Sequence, residues 1–207
     1  MSEVVAQKAD LGIVVDPDVD RLAFISEDGS MFGEEYTLVA CADYVLSKTP
    51  GATCSNLSST RALRDVTHKH QGVYVSAAVG EVNVVETMKK NQVVIGGEGN
   101  GGIIYPASHY GRDALVGTAL FLMLLAERKT TVSELRKQYP AYFMSKEKIV
   151  LDPKVDVDRL LVAMEQHYPN DQKSTIDGLK IDLADGWIHM RKSNTEPIMR
   201  IYTEAFT

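Results

Sequence analysis

The sequence predicts an α/β protein: a layered α/β unit over residues 36–140, a short strand-bearing segment before it over 1–35, and a small α+β unit after it over 141–207. Three observations carry this reading. From 36 to 139, short apolar runs of strand character alternate with segments whose apolar residues recur at helical spacing, the arrangement that buries a sheet between helices. Beyond a boundary near 140–145 that alternation stops, and one amphipathic helix is followed by strands joined through a hairpin turn. Near the N-terminal end, three carboxylates crowd into Asp16-Pro17-Asp18-Val19-Asp20-Arg21, at the end of an apolar run.

Leu11 to Val15 is wholly apolar and reads as a buried strand, and Leu22 to Ile25 continues as a strand beyond the acidic loop. Glu27-Asp28-Gly29-Ser30 has the composition of a hairpin turn, with Met31 and Phe32 starting the return and Gly33 ending it. Thr37 to Lys48 places Leu38, Val39, Cys41, Ala42, Val45 and Leu46 at helical spacing, and Pro50-Gly51 stops it. Ala52 to Leu57 reads as a strand ending in Ser58-Ser59-Thr60, Arg61 to His70 as a helix, and Val73 to Val79 as a strand. Gly80 breaks the chain, after which Asn83 and Glu86 have capping-box spacing at the start of a helix reaching about Lys90. Gln92 to Ile95 is expected as a strand, residues 96–102 as a glycine-rich loop, and Ile103-Ile104-Tyr105 as a strand. Asp113 to Arg128 is a strongly apolar helix, and Thr131 with Glu134 repeats the capping-box pattern before a short helix ending at Tyr139-Pro140. In the last third, Lys146 to Leu151 is a strand and Val157 to His167 a helix. Leu179, Ile181 and Leu183 alternate, Asp185-Gly186 turns, Trp187 to Met190 returns, and Ile198 to Tyr202 is a final strand.

At 207 residues, 44% hydrophobic and 24% charged, the chain has room for one or two globular domains with a substantial core. A net charge of −6 argues against a general nucleic-acid binder and against a binder of anionic membranes. The longest apolar run, Ala114 to Ala126, is too short to span a bilayer and no signal peptide opens the sequence, so a cytoplasmic location is expected. Cys41 and Cys54 read as small buried hydrophobes of a reducing compartment rather than as a disulfide.

Three polar loops carry the chemistry. Asp16, Asp18 and Asp20 repel one another unless a cation or water screens them, and hard oxygen ligands suit Mg²⁺ or Ca²⁺, with Mg²⁺ usual where a phosphate completes the shell. Arg21 beside them offers a planar fork suited to a phosphoryl group. A solvated acidic loop fits the same residues. An EF-hand does not: Arg21 stands where that loop needs its turn glycine, and the flanks are strands. In the second loop, Gly97, Gly99 and Gly102 formally match G-x-G-x-x-G. A strand-like segment follows instead of a helix, and Glu98 would repel a diphosphate, so a dinucleotide site is rejected. Glu98 and Asn100 suit sugar hydroxyls on a backbone that a ligand can approach closely; a tight turn that needs glycine explains the run as well. The third loop, Arg191-Lys192-Ser193-Asn194-Thr195-Glu196-Pro197, combines a guanidinium, hydroxyls and turn N–H groups into an anion nest, with Arg200 adding positive charge; a polar hairpin turn is the plainer alternative.

Together and in this order, the loops resemble those of the α-D-phosphohexomutases, the phosphoglucomutases, phosphomannomutases and phosphoglucosamine mutases. That family's metal loop is typically D-G-D-G/A-D-R, its sugar loop G-E-x-S-G and its phosphate loop R-x-S-G/N-T-E-P. The resemblance runs from about Lys8 to Ala205. It implies the end of the family's second domain over 1–35, its third domain with a mixed sheet over 36–140, and most of its fourth, α+β domain over 141–207, so truncation at both ends is expected. It implies Mg²⁺ on Asp16, Asp18 and Asp20, and Arg21 beside the transferring phosphoryl group. Glu98 and Asn100 would read the sugar's 3- and 4-hydroxyls, and Gly80 and Glu81 match a substrate-contacting turn, usually V-G-D or V-G-H. Arg191, Ser193, Asn194, Thr195 and Arg200 would hold the phosphate that is not reacting. The implied reaction interconverts hexose 1- and 6-phosphates through a phosphoserine and a bisphosphate intermediate. The implied partners are the hexose phosphate, that bisphosphate and the missing N-terminal domains, with no nucleic acid and no membrane.

The departures from the family pattern matter equally. Its serine loop, usually T-A-S-H-N-P, has no counterpart here, so the chain alone is expected to be inactive. Gly102 stands where many relatives have histidine, which leaves the general acid/base unassigned, and Pro17 and Val19 replace small residues. His109 is a candidate for the site, with a surface histidine the plainer reading, while His68, His70, His167 and His189 read as structural or solvated. The G-E-G-N-G-G variant and the V-G-E turn favour glucosamine phosphate. A phosphomannomutase/phosphoglucomutase is the runner-up, and a non-catalytic sugar-phosphate binding module is the alternative of a different class.

Overall fold

A computed structural model describes residues 1–152, 155–193 and 197–206, and in it the chain separates into two units, Met1–Pro140 and Ala141–Thr207. In the first, a short helix α1 (Ser2–Ala6) precedes an antiparallel pair, β1 (Leu11–Val15) and β2 (Leu22–Ser26), with Val15 opposite Leu22. The acidic stretch 16–21 is the connection of this hairpin. The expectation of a buried first strand is corrected: β1 forms, but Ile13, Val14 and Val15 are 46%, 49% and 42% exposed. Among the described residues β1 pairs with β2 alone, and Val4 of α1 packs over Gly12. Leu22, Phe24 and Ile25 of β2 are buried.

The layered part follows: α2 (Glu34–Lys48), β3 (Thr53–Asn56), α3 (Ala62–Lys69), β4 (Tyr74–Ala77), α4 (Glu81–Lys90), β5 (Ile95–Glu98), β6 (Gly102–Ile104), α5 (Ala114–Arg128) and α6 (Val132–Arg136). The sheet runs β4-β3-β5-β6, with β3 parallel to β4 and β5, and β6 antiparallel to β5, so it is mixed. Side chains alternate across a strand, and β3 shows the layering: Cys54 joins Met88 and Val84 of α4 in one core cluster, while Thr53 bonds Thr67 of α3 at 2.6 Å. Helix α2 is buried at every position from Tyr36 to Leu46, as a helix enclosed by neighbours must be. Phe121 of α5 stacks on Phe24 of β2 with ring centroids 3.8 Å apart and meets Phe32 edge-on at 5.0 Å. These rings seat the hairpin on α5.

Two local expectations shift. β5 begins at Ile95 rather than Gln92, so Gly96, Gly97 and Glu98 are strand residues. The Asn83–Glu86 box does not form: α4 starts at Glu81 with Gly80 as its cap, and Asn83 Nδ2 donates to Val79 O instead. The Thr131 cap does form, accepting from the Glu134 N–H. Both thiols are buried and free, and burial pushes each up to about 12.

In the second unit, β7 (Phe143–Val150), α7 (Val157–His167), β8 (Gln172–Ser174), β9 (Leu179–Asp182), β10 (Gly186–Lys192) and β11 (Ile198–Ala205) give a five-stranded antiparallel sheet of order β7-β11-β10-β9-β8. Leu179, Ile181, Met190 and Met199 face α7 through Val157, Leu161 and Met164. The alternate residues, among them Trp187, Arg191, Arg200 and Glu204, take the other face. No helix among the described residues is long and apolar enough to cross a membrane.

Candidate functional site

The acidic loop closes on one carboxylate. Asp16 Oδ1 accepts the N–H groups of Asp20 at 3.1 Å and Arg21 at 3.0 Å. These bonds, Arg21's first, hold the Asp16 carboxyl below its usual range. Asp16, Asp18 and Asp20 each offer a ligand oxygen, all within 4.8 Å of one another. Asp20 differs: burial raises its carboxyl against the opposing Arg112 guanidinium. Its Oδ1 is buried and makes no hydrogen bond among the described residues. Hard oxygens at this spacing, one of them buried without a hydrogen bond among the described residues, fit a hard divalent cation. Arg21 is exposed, with Nε 3.7 Å from Asp16 and 3.8 Å from Asp20. Glu27 accepts hydrogen bonds from Ser133, and its carboxyl is held at about 2 because those bonds outweigh the burial that would raise it.

The hairpin rests on the glycine-rich loop. Leu22 N–H donates to Gly101 O at 3.2 Å, and Ala114 N–H to Val19 O at 3.1 Å. Gly101 has φ +82°, and a Cβ there would lie 2.0 Å from Leu22 O, so the contact requires glycine. Glu98 ends β5 and is 6% exposed. Its Oε1 accepts from Asn56 Nδ2 at 2.9 Å and Gly80 N–H at 3.3 Å, and its Oε2 from Arg112 Nη1 at 3.0 Å. Asn100 Oδ1 closes the turn on Gly102 N–H at 3.1 Å. Ser59 Oγ accepts Gly99 N–H at 3.0 Å, and Glu35 accepts Thr60 N–H at 3.0 Å. Glu81, opening α4, accepts Arg112 N–H at 3.1 Å.

Asp16, Asp18, Asp20, Arg21, Gly80, Glu81, Glu98 and Asn100 therefore share one end of the first unit. The sequence reading does not single out Arg112, Asn56 or Glu35. Arg112 pairs with Asp20, Glu81 and Glu98 at once. The one signal for it is its place immediately before Asp113, the N-cap that accepts from Leu115 and Val116 N–H. His109 is an exposed histidine 2.9 Å from Asp113 Oδ2.

In the second unit, Arg191 of β10 stands opposite Arg200 of β11, which stands opposite Lys148 of β7. Three cations thus occupy one cross-strand row. Like charges so placed repel, and an anion would relieve them. Arg191 Nη1 lies 3.8 Å from Asp177 Oδ2, and its Nε is buried with no hydrogen bond among the described residues. Ser193 N–H closes the hairpin on Ile198 O at 2.9 Å. Asn194 and Thr195 lie outside the described residues. His189 donates from Nε2 to Asp177 O at 2.7 Å, and burial lowers its pKa.

Residues 33–142 match the family model described as phosphoglucomutase/phosphomannomutase, alpha/beta/alpha domain III, and residues 149–207 match the C-terminal domain of the same family. A probable phosphoglucosamine mutase of Methanopyrus kandleri is 34% identical, over 99% of this chain and 46% of that protein. A phosphoglucomutase/phosphomannomutase of Thermococcus kodakarensis is also 34% identical, over 99% and 45%. The crystal structure of a phosphoglucomutase/phosphomannomutase family protein from Burkholderia thailandensis superposes with a TM-score of 0.85 at 26% identity, covering 100% of this chain and 44% of that one. The chain spans about half the length of the curated relatives it matches. With domain models along most of its length and relatives aligned from end to end of it, the chain belongs to the phosphoglucomutase/phosphomannomutase family, the α-D-phosphohexomutases.

Proposed function

We propose that this chain carries the cation, sugar and distal-phosphate sites of a mutase interconverting hexose 1- and 6-phosphates, with glucosamine phosphate as its preferred substrate. The observation that carries the reading is the meeting of the carboxylate triad with Glu81 and Glu98 around Arg112. Asp16, Asp18 and Asp20 would hold Mg²⁺, which when bound supplies positive charge to offset that of a transferring phosphoryl group. Arg21, exposed beside them, donates to the phosphoryl oxygens. Glu98 and Glu81 accept hydrogen bonds from sugar hydroxyls, and Asn100 orients the loop that presents them. In the second unit, Arg191, Arg200 and Ser193, with Asn194 and Thr195, hold the phosphate that does not react, so that the sugar can present either end.

The chain has no T-A-S-H-N-P loop, so it positions substrate without supplying the phosphoryl carrier. A phosphoserine of the family's N-terminal domains gives its phosphoryl group to the sugar monophosphate, forming the bisphosphate. After reorientation, the bisphosphate returns its other phosphoryl group to the serine. The glucosamine preference draws support from the G-E-G-N-G-G loop and from the name of the Methanopyrus kandleri relative. The Thermococcus kodakarensis relative, at equal identity, favours a phosphomannomutase/phosphoglucomutase.

Calorimetric titration with glucosamine 6-phosphate, mannose 6-phosphate and glucose 6-phosphate, with and without Mg²⁺, tests the reading. Tightest binding of glucosamine 6-phosphate, lost in Glu98→Ala, is the expected result. Equal weak binding of all three, lost only in Arg191→Ala, would leave a bare phosphate site and contradict the sugar assignment.

A further inference from the structure

One guanidinium meets three carboxylates, from the acidic loop, the end of β5 and the start of α4. Arg112 Nη2 contacts Asp20 of the acidic loop, Nη1 lies 3.0 Å from Glu98 Oε2, and Nε lies 3.4 Å from Glu81 Oε2. The Arg112 N–H adds a bond to Glu81 Oε1 at 3.1 Å. Its backbone is fixed by a bridge to Ile104 and by the Asp113 N–H on Ile103 O at 2.9 Å. Its stem crosses the glycine-rich loop at Gly102, where a Cβ would lie 2.4 Å from Arg112 Cδ. This gives Gly102 a use where many relatives carry histidine: it leaves passage for the arginine. Nη1 and Nη2 reach Glu98 and Asp20, while Nε, buried and without a hydrogen bond among the described residues, faces Glu81, a planar arrangement that a lysine ammonium does not reproduce. With Oδ2 pinned, Asp20 is left with a buried Oδ1 that has no hydrogen bond among the described residues.

We propose that Arg112 is a positioning residue that couples cation binding at the acidic loop to the sugar-reading carboxylates Glu81 and Glu98. The inference rests on the assignment of those two sites made above. A cation drawing on Asp20 and a hexose drawing on Glu81 and Glu98 act on the same guanidinium, and such coupling is reciprocal. A simple counter-charge beside the triad would compete with the cation, so its removal would strengthen cation binding. A positioning group acts with the opposite sign, because its removal lets Asp20 turn away.

The test is Mg²⁺ titration, by calorimetry, of the unmodified chain and of Arg112→Lys, Arg112→Ala and Gly102→Ala. The amide resonance of Gly80, which donates to Glu98, is followed in parallel. The expected result is Mg²⁺ affinity about tenfold weaker in all three variants, the size that groups orienting metal ligands have. Mg²⁺ also moves the Gly80 resonance in the unmodified chain and leaves it unmoved in Arg112→Lys. Unchanged or tighter Mg²⁺ binding in the variants, or a Gly80 shift that survives in Arg112→Lys, overturns the coupling while leaving the metal site standing. No Mg²⁺ binding by the unmodified chain overturns the metal site and the coupling together. If the alanine variants do not fold, Arg112→Lys, which keeps the charge and most of the volume, decides.

Discussion

Asp43 sits inside α2, fully buried, and is kept charged by its neighbours. His70 Nε2 lies 2.7 Å from Oδ1, while Tyr139 Oη at 3.0 Å and Arg128 Nη2 at 2.5 Å reach Oδ2. Burial alone would raise this carboxyl, but the His70 hydrogen bond and the Arg128 charge bring it below its usual value. A depressed carboxylate contributes stability that is fully present above the unfolded value of about 3.9 and is lost as the pH falls through the folded value. Asp43→Asn is therefore expected to cost about 3 kcal/mol at neutral pH and to flatten the fall of the thermal midpoint between pH 5 and pH 2. An unchanged acid limb in the variant would refute this. At this scale the sequence is only partly legible. The acidic loop announces itself because its residues are adjacent. Arg112 and Asn56 do not, because their partners come together only when the acidic loop, β5 and α4 converge.

The seating of the hairpin on α5 belongs to the scale of elements. Phe24 is fully buried and stacked on Phe121. Phe24→Ala removes that ring from the core and is expected to cost about 3–5 kcal/mol, read as a lower urea midpoint. It should also weaken Mg²⁺ binding, since the acidic loop loses its support. In the second unit, Lys148, Arg200 and Arg191 share one cross-strand row, and phosphate binding should draw on all three. Lys148→Ala is expected to weaken inorganic phosphate binding a few-fold, with a shallower salt dependence in calorimetric titrations. Equal affinity at low and high salt would exclude Lys148 from the site. The long elements were legible because periodicity over ten or more residues is hard to mistake: α7 spans Val157–His167 as expected. The short ones were not. Glycines in β5 hide a strand inside what reads as a loop, and β8 is a polar three-residue strand with no alternation to read. β1 forms as expected, yet its apolar composition gave a false sign of burial, because exposure depends on which neighbours cover a strand.

At the scale of the whole molecule, the chain divides into Met1–Pro140 and Ala141–Thr207, and the hairpin-linked strands lie in the second unit. Three loops in family order made the resemblance legible, because each is weak alone and their conjunction is specific. Val19 shows what a motif alone does not give. It stands where the family keeps a small residue, and it adopts φ +58°, a left-handed conformation unfavourable for a β-branched side chain. If the proposed sites hold, these 207 residues bind a hexose phosphate without turning it over. The most direct measurement is phosphorus NMR of glucosamine 6-phosphate with Mg²⁺ and increasing amounts of the 207-residue chain. The expected result is a progressive shift or broadening of the 6-phosphate resonance with no 1-phosphate resonance emerging over hours. An unperturbed resonance would contradict the binding sites, and steady growth of a 1-phosphate signal would contradict the absence of a phosphoryl carrier.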